Sequence, residues 1–238
     1  MANQHRKKRK PSASRNTNSM KPLLWITVGF AAVIILLVVL TALRGTSQDR
    51  FSELPSLEAQ QVRGNENAAV TVVEFGDYMC PTCMVWDRMV YPQLHKDYIA
   101  TGKVQYVFIN TLFHGQPSEL AALASESVFE QSPEHFWAYH DAIFTAQANQ
   151  DSNSNWVTPE LLLSLAEEHV PGIDLEKLEA DLVNKAALPK LVIDMDLVDR
   201  YEVKGTPTVM INGIVMNNPM DYEEIRETIE QELEAGDK

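Results

Sequence analysis

Glu74-Phe75-Gly76-Asp77-Tyr78-Met79-Cys80-Pro81-Thr82-Cys83 carries both cysteines of a 238-residue chain. With no other thiol available, these two have no framework of structural disulfides to join. Their spacing suits three uses: a small disulfide that opens to a dithiol and trades with other proteins, half of a metal site, or an inert staple. The flanking sequence bears on which. Upstream, Ala69-Val70-Thr71-Val72-Val73-Glu74-Phe75 is β-rich and ends at Gly76-Asp77, a strand running into a turn. Downstream, Pro81 suits the first turn of a helix, where its missing N–H costs nothing. That helix is expected to run through Trp86, Met89 and Val90 to Ala100. Cys80 then sits at a helix N-terminus, where unpaired backbone N–H groups and the helix dipole favour an anion. Thiolates so placed have pKa values lowered to roughly 3.5–7.5. Cys80 is therefore expected to be the exposed nucleophile, and Cys83, one turn further in, the more buried thiol that resolves the mixed disulfide.

Beyond Thr101-Gly102, the run Val104-Gln105-Tyr106-Val107-Phe108-Ile109 reads as a second strand, so strand, helix and strand make a βαβ unit with parallel pairing. The next stretch has helical spacing instead: Leu120, Leu123, Ala124 and Val128, then Phe136, His140, Ile143 and Phe144. Thr158-Pro159 starts a further helix with an N-cap and an N1 proline, and Asp174 caps another that presents Leu175, Leu178 and Leu182. Leu188, Leu191, Val192, Met195 and Val198 mark one more before Gly205. Thr208-Val209-Met210-Ile211, an Asn212-Gly213 hairpin turn, Ile214-Val215-Met216 and a helix over 221–234 close the chain. The fold class expected is α/β: a thioredoxin-type domain over 65–238 with an inserted all-helical subdomain over 116–186.

The cysteine pair is a poor metal site. Zinc needs two more ligands, and no second cysteine pair exists. His135 and His140 are spaced badly for one helical face, and Met84 after Cys83 breaks the haem-attachment pattern. No metal is expected. Phe136, Trp137 and Tyr139 read as core of the insertion, His114 as a loop histidine, and the acidic residues near the C-terminus as solvated helix faces.

Four segments together carry a family resemblance: Phe75 to Cys83, Phe113-His114-Gly115, Phe136-Trp137-Ala138-Tyr139-His140 and Val203-Lys204-Gly205-Thr206-Pro207-Thr208. Over roughly residues 60–235 the chain resembles the DsbA-like thiol oxidases, in particular the membrane-anchored BdbD type of Gram-positive bacteria. The resemblance implies oxidation of thiols in exported proteins, and reoxidation by a quinone-linked membrane protein of the DsbB/BdbC type. It also implies a cis bond at Thr206-Pro207, with the backbone there pairing with an extended substrate segment by strand addition. Pro81 and Thr82 form the active-site dipeptide. Strongly oxidising enterobacterial relatives have histidine where this chain has Thr82, which removes one stabiliser of the Cys80 thiolate.

Glu74 interrupts an apolar strand six residues before Cys80. On an alternating strand it faces solvent; facing inward, its carboxyl has a raised pKa and accepts the proton that Cys83 must lose.

The chain ends set the compartment. Arg6, Lys7, Lys8, Arg9, Lys10, Arg15 and Lys21 make the first 22 residues basic, with no acid among them. The whole chain is −13, so removing those seven charges leaves residues 23–238 at −20. Residues 23–43 are uncharged and, at ~1.5 Å per residue, reach ~31 Å as a helix, enough for a hydrocarbon core of ~30 Å. The reading is a basic cytoplasmic tail (1–22), a transmembrane signal-anchor (23–43), a juxtamembrane linker (44–64) and an extracytoplasmic domain. A cleaved signal peptide would have a shorter core and a small-x-small site, which Thr41-Ala42-Leu43-Arg44 does not supply. The acidic domain argues against nucleic acid.

Three functions fit, in order. The first is a thiol:disulfide oxidoreductase that introduces disulfides, needing no organic cofactor beyond the Cys80–Cys83 disulfide. The second is an extracytoplasmic reductase or isomerase, and the third a tethered binding module in which the cysteines are incidental.

Overall fold

The computed structural model describes residues 50–58, 60–150 and 156–236, together with Phe30 and residues 33–35. The chain divides into a unit of residues 1–47 and one of 48–238. In the first, Phe30 and residues 33–35 are helical; the rest of the expected anchor and the basic tail lie outside the described residues. Among the described residues, no helix is long and apolar enough to cross a membrane.

The second unit is built on a sheet of five strands: β1 (Gln61–Gly64), β2 (Val70–Gly76), β3 (Val104–Asn110), β4 (Thr208–Ile211) and β5 (Ile214–Val215). Their order is β1-β3-β2-β4-β5. The βαβ unit pairs β2 and β3 in parallel, Val70 with Val104 through Gly76 with Asn110, and the remaining pairings are antiparallel. Every residue of β2 and β3 is buried, because helices cover both faces of this sheet. Val73, Phe75, Val107, Ile109 and Met210 pack beneath Leu197 and Val198 on one face. Val72, Tyr106, Phe108 and Val209 face the larger core on the other.

The helices are α1 (Pro81–Met89), α2 (Tyr91–Leu94), α3 (Gln116–Gln131), α4 (Phe136–Ala148), α5 (Pro159–His169), α6 (Leu175–Asn184), α7 (Leu188–Arg200) and α8 (Tyr222–Gly236). Their ends follow the local chemistry. Thr158 accepts from the Leu161 N–H at 3.2 Å and Asp174 from the Lys177 N–H at 2.9 Å, caps worth about 1 kcal/mol each. The β4–β5 hairpin turns at Asn212 and Gly213 with φ of 46° and 85°, the left-handed pair that a two-residue hairpin of this kind needs. A side chain on Gly213 would also collide with the Phe51 carbonyl.

Two expectations change. The helix after Cys80 does not run unbroken to Ala100: α1 stops at Met89, α2 starts at Tyr91, and a π-helical turn covers His95–Ile99. Pro92 lies at the break, and its missing N–H and ring prevent the ladder from continuing through it. The juxtamembrane linker over 44–64 is partly folded structure. Gln61–Gly64 forms an edge strand on β3, and Arg50 bridges to Ile214. Edge pairing uses backbone groups, so Gln61-Val62-Arg63-Gly64 needs no apolar alternation to join.

Candidate active site

The strand-to-helix junction is held by Asp77, a fully buried acid whose carboxylate accepts four hydrogen bonds. Its Oδ1 takes the Met79 N–H at 2.8 Å. Its Oδ2 takes the Ser118 hydroxyl at 2.9 Å, His114 Nδ1 at 2.8 Å and the His114 N–H at 3.3 Å. Its backbone carbonyl takes the Cys80 N–H at 2.9 Å. The turn that presents Cys80 is thereby fixed from the strand, from its own backbone and from α3. Gly76, just before it, lies so close to the Phe108 ring that a Cβ there would collide with it.

Helix α1 carries the pair on its inward side. Cys83, Trp86 and Val90 are buried at helical spacing. Trp86 stacks on Tyr106 with ring centroids 5.9 Å apart and donates its indole N–H to the Pro219 carbonyl at 2.9 Å. Truncating a tryptophan so buried costs about 3–5 kcal/mol, so the helix bearing the cysteines is anchored firmly below them.

Cys80 is the N-cap of α1, and its Sγ accepts from the Cys83 N–H at 3.4 Å. Both cysteines are thiols. The Cys80 pKa is pushed down to about 5. The Cys83 thiol is the main cause, the Thr206 side chain adds to it, and the backbone N–H groups of Cys83 and Thr82 contribute; burial opposes them. The Thr206 carbonyl, which accepts from the Cys80 thiol at 3.3 Å, helps hold the sulfur in place. Cys83 moves the other way. Burial pushes its thiol up, and the neighbouring Cys80 sulfur and the Glu74 charge add to the rise. One turn of helix thus separates a sulfur that prefers to be an anion from one that prefers to keep its proton.

Thr206-Pro207 is a cis peptide and lies against Cys80. This loop covers the sulfur, so Cys80 is only 5 % exposed, where the sequence suggested a more open nucleophile. Thr208, the first residue of β4, donates its hydroxyl to the Gly205 carbonyl at 2.8 Å. A groove of about 820 Å³ runs along the loop and is lined by Thr206, Pro207, Val215, Met216, Asn217 and Pro219 among others.

Glu74 points inward: it is 2 % exposed and Tyr106 donates its hydroxyl to Oε2 at 2.6 Å. Burial holds the carboxyl well above its ordinary pKa, with the charges at Asp87 and Cys80 adding and the Tyr106 bond opposing. Its other oxygen has no hydrogen-bond partner among the described residues. The solvent-facing alternative fails because β2 is covered on both sides.

Cys80, Cys83, Glu74, Thr206 and Pro207 are therefore brought to one place. Pro81 and Thr82 are exposed on the first turn of α1, where Thr82 acts on Cys80 through its backbone N–H. Three supporting residues were not assigned roles from sequence: Asp77, His114 and Tyr106. Asp77 shows locally only as a turn residue, and its partners lie 37 and 41 residues away.

The family model described as thioredoxin matches residues 56–231. Disulfide bond formation protein D of Bacillus subtilis (strain 168) is 42% identical over 187 residues, covering 79% of this chain and 83% of that protein. Probable disulfide bond formation protein D of Bacillus anthracis is 36% identical over 210 residues, covering 88% of this chain and 95% of that one. The crystal structure of oxidised BdbD from Bacillus subtilis superposes with a TM-score of 0.74 at 42% identity, covering 78% of this chain and 99% of that chain. Chlamydia trachomatis DsbA shares the fold, with a TM-score of 0.66 at 21% identity over 76% of this chain and 95% of that chain. With a polarised cysteine pair on a thioredoxin-like scaffold and this similarity over most of its length, the chain belongs to the DsbA-like thiol:disulfide oxidoreductases, among the disulfide bond formation proteins of the BdbD type.

Proposed function

We propose that this protein is a membrane-tethered dithiol oxidase that introduces disulfide bonds into exported proteins. The observation that carries this reading is the opposed pair of thiols, Cys80 pushed down to about 5 and Cys83 pushed up. In the oxidised form a substrate thiolate attacks Cys80 Sγ. The Cys80–Cys83 bond breaks, a mixed disulfide forms at Cys80, and Cys83 leaves with the electron pair. Glu74, whose buried carboxyl holds its proton to higher pH than an ordinary carboxyl, supplies the proton that Cys83 takes up. A second substrate thiolate then attacks the substrate sulfur of the mixed disulfide and expels Cys80 as a thiolate. Two electrons pass from substrate to enzyme, and the substrate gains one disulfide.

The direction follows from the same polarity. A stable Cys80 thiolate is a good leaving group and favours the reduced enzyme, so the disulfide form is oxidising. Thr206, whose carbonyl meets Cys80, and Pro207 border the groove, and an extended substrate segment lies there with its backbone against the loop, giving affinity with little sequence selectivity. The cysteine pair is itself the redox group. A quinone-linked membrane protein of the DsbB/BdbC type reoxidises it, reversing the steps with Glu74 accepting the Cys83 proton.

The basic tail and the uncharged run of residues 23–43 support an uncleaved anchor with the catalytic domain outside the cytoplasm, where disulfides persist.

Equilibration with glutathione redox buffers tests the direction. The expected reduction potential lies well above that of a cytosolic thioredoxin (about −270 mV) and toward that of the strong oxidants (about −120 mV). A value near the thioredoxin figure would assign the protein to reduction instead.

A further inference from the structure

The active-site helix and the helix packed against it bring three metal-ligating side chains together. Asp87 lies on α1, four residues past Cys83, while His140 and Asp141 are adjacent on α4. One carboxylate oxygen from each acid and one ring nitrogen of His140 all lie within 4.8 Å of one another. None of the three side chains touches the cysteine sulfurs, and Asp87 reaches the oxidase cycle only through its charge on Glu74.

Three features make it more than a crowding of acids. His140 is buried, 2 % exposed, and its Nδ1 lies 2.9 Å from the Tyr78 hydroxyl. When Nδ1 carries the hydrogen and donates to Tyr78, the Nε2 lone pair is free to ligate. That second hydrogen bond is the arrangement that orients metal-bound histidines. A cavity of about 310 Å³ is lined by both carboxylate residues along with Arg63, Tyr91, Pro92 and His95, which leaves room for solvent ligands. The Asp87 carboxylate is also unpartnered, with Arg63 and Arg88 acting on it through charge alone. Arg63 meets Asp141 at 3.4 Å, and its guanidinium lies over the Tyr91 and Trp137 rings at 5.4 Å from each centroid. Among the described residues no hydrogen-bond donor reaches the Asp87 carboxylate.

We propose that Asp87, His140 and Asp141 form a site for a divalent first-row transition ion such as Zn²⁺, completed by solvent from the adjoining cavity. Two carboxylate oxygens and one imidazole nitrogen with an open position are a suitable donor set for such an ion. Ligand atoms around tetrahedral zinc, at bonds of about 2.1 Å, sit about 3.4 Å apart. The three groups therefore close by up to about 1.4 Å from their separations of at most 4.8 Å, a change within reach of carboxylate side-chain rotation. A bound ion ties the helix carrying both cysteines to the helical insertion.

Calorimetric titration of Zn²⁺ into the full-length chain in its Cys80–Cys83 disulfide form tests the site, because no thiolate then competes for metal. The expected result is binding that weakens by about ten-fold or more in Asp87→Asn and in Asp141→Asn, since even an outer-sphere partner is worth about that much. Arg63→Ala, which removes the competing cation, is expected to tighten it. Circular dichroism of each variant establishes that it is folded. Absence of Zn²⁺ binding to the parent chain, or binding unchanged in both folded acid variants, overturns the proposal. So does an Arg63→Ala chain that binds Zn²⁺ no better than the parent.

Discussion

Cys80→Ser is expected to lower dithiol oxidation to background, a loss of about a thousand-fold or more, and to form no disulfide-linked adduct with any protein. Cys83→Ala is expected to lose turnover equally but to behave differently. It keeps the attacking sulfur and lacks the resolving one, so adducts formed when Cys80 attacks a disulfide-bearing protein persist. The asymmetry follows from the geometry: Cys80 caps the helix beside Thr206, whereas Cys83 is fully buried one turn below. Non-reducing electrophoresis of membranes expressing each variant reads the result, and mass spectrometry of the Cys83→Ala adducts identifies substrates and reoxidant together. Adducts through Cys83 in the Cys80→Ser chain would reverse the assigned order of attack. A double variant with full activity would return the protein to the class of binding modules.

Glu74→Gln is expected to slow exchange by about a hundred-fold, the lower end of what a positioned acid–base group contributes, and to flatten its dependence on pH. The reason is that Cys83, whose thiol is pushed up by burial, must gain a proton when it leaves and lose one when it attacks. The same substitution acts on stability with a definite sign. The folded-state carboxyl titrates above its ordinary value of 4.5. Stability that the protonated form contributes is thus fully present below pH 4.5 and is lost as pH rises through the folded-state value. Glutamine does not titrate and can still accept from the Tyr106 hydroxyl. The variant is therefore expected to match the parent in acid and to become more stable than it as pH rises, as measured by denaturant unfolding across pH. Exchange rates that remain unchanged across pH would remove Glu74 from the mechanism and leave it a buried structural acid.

The features visible in the sequence are those with local chemistry. Thr158 and Asp174 cap helices through contacts three residues away, and Asn212-Gly213 encodes its own turn. The inward direction of Glu74 was also legible in principle. A central parallel strand flanked by helices has no solvent face, so its lone acid had to be inside. Other features depend on partners too distant for any local pattern. The loop covering Cys80 is 126 residues downstream, and the Asp77 latch closes on His114 and Ser118. Asp87 and His140 come together only because α1 and α4 pack. Edge strand Gln61–Gly64 escaped notice because it contributes backbone pairing and little apolar pattern. The break at Val90 was foreshadowed by Pro92, whose effect on the ladder outweighs the helical spacing around it.

All of these supports converge on the state of one sulfur atom. Titrating the ultraviolet absorbance of the thiolate in the reduced protein, with Cys80→Ser as the blank, measures it directly. The structure predicts a midpoint near 5, with Cys80 ionised at neutral pH. A midpoint near the ordinary value of 9.0 would contradict it, leaving Cys80 a thiol at neutral pH and the disulfide no longer primed to oxidise.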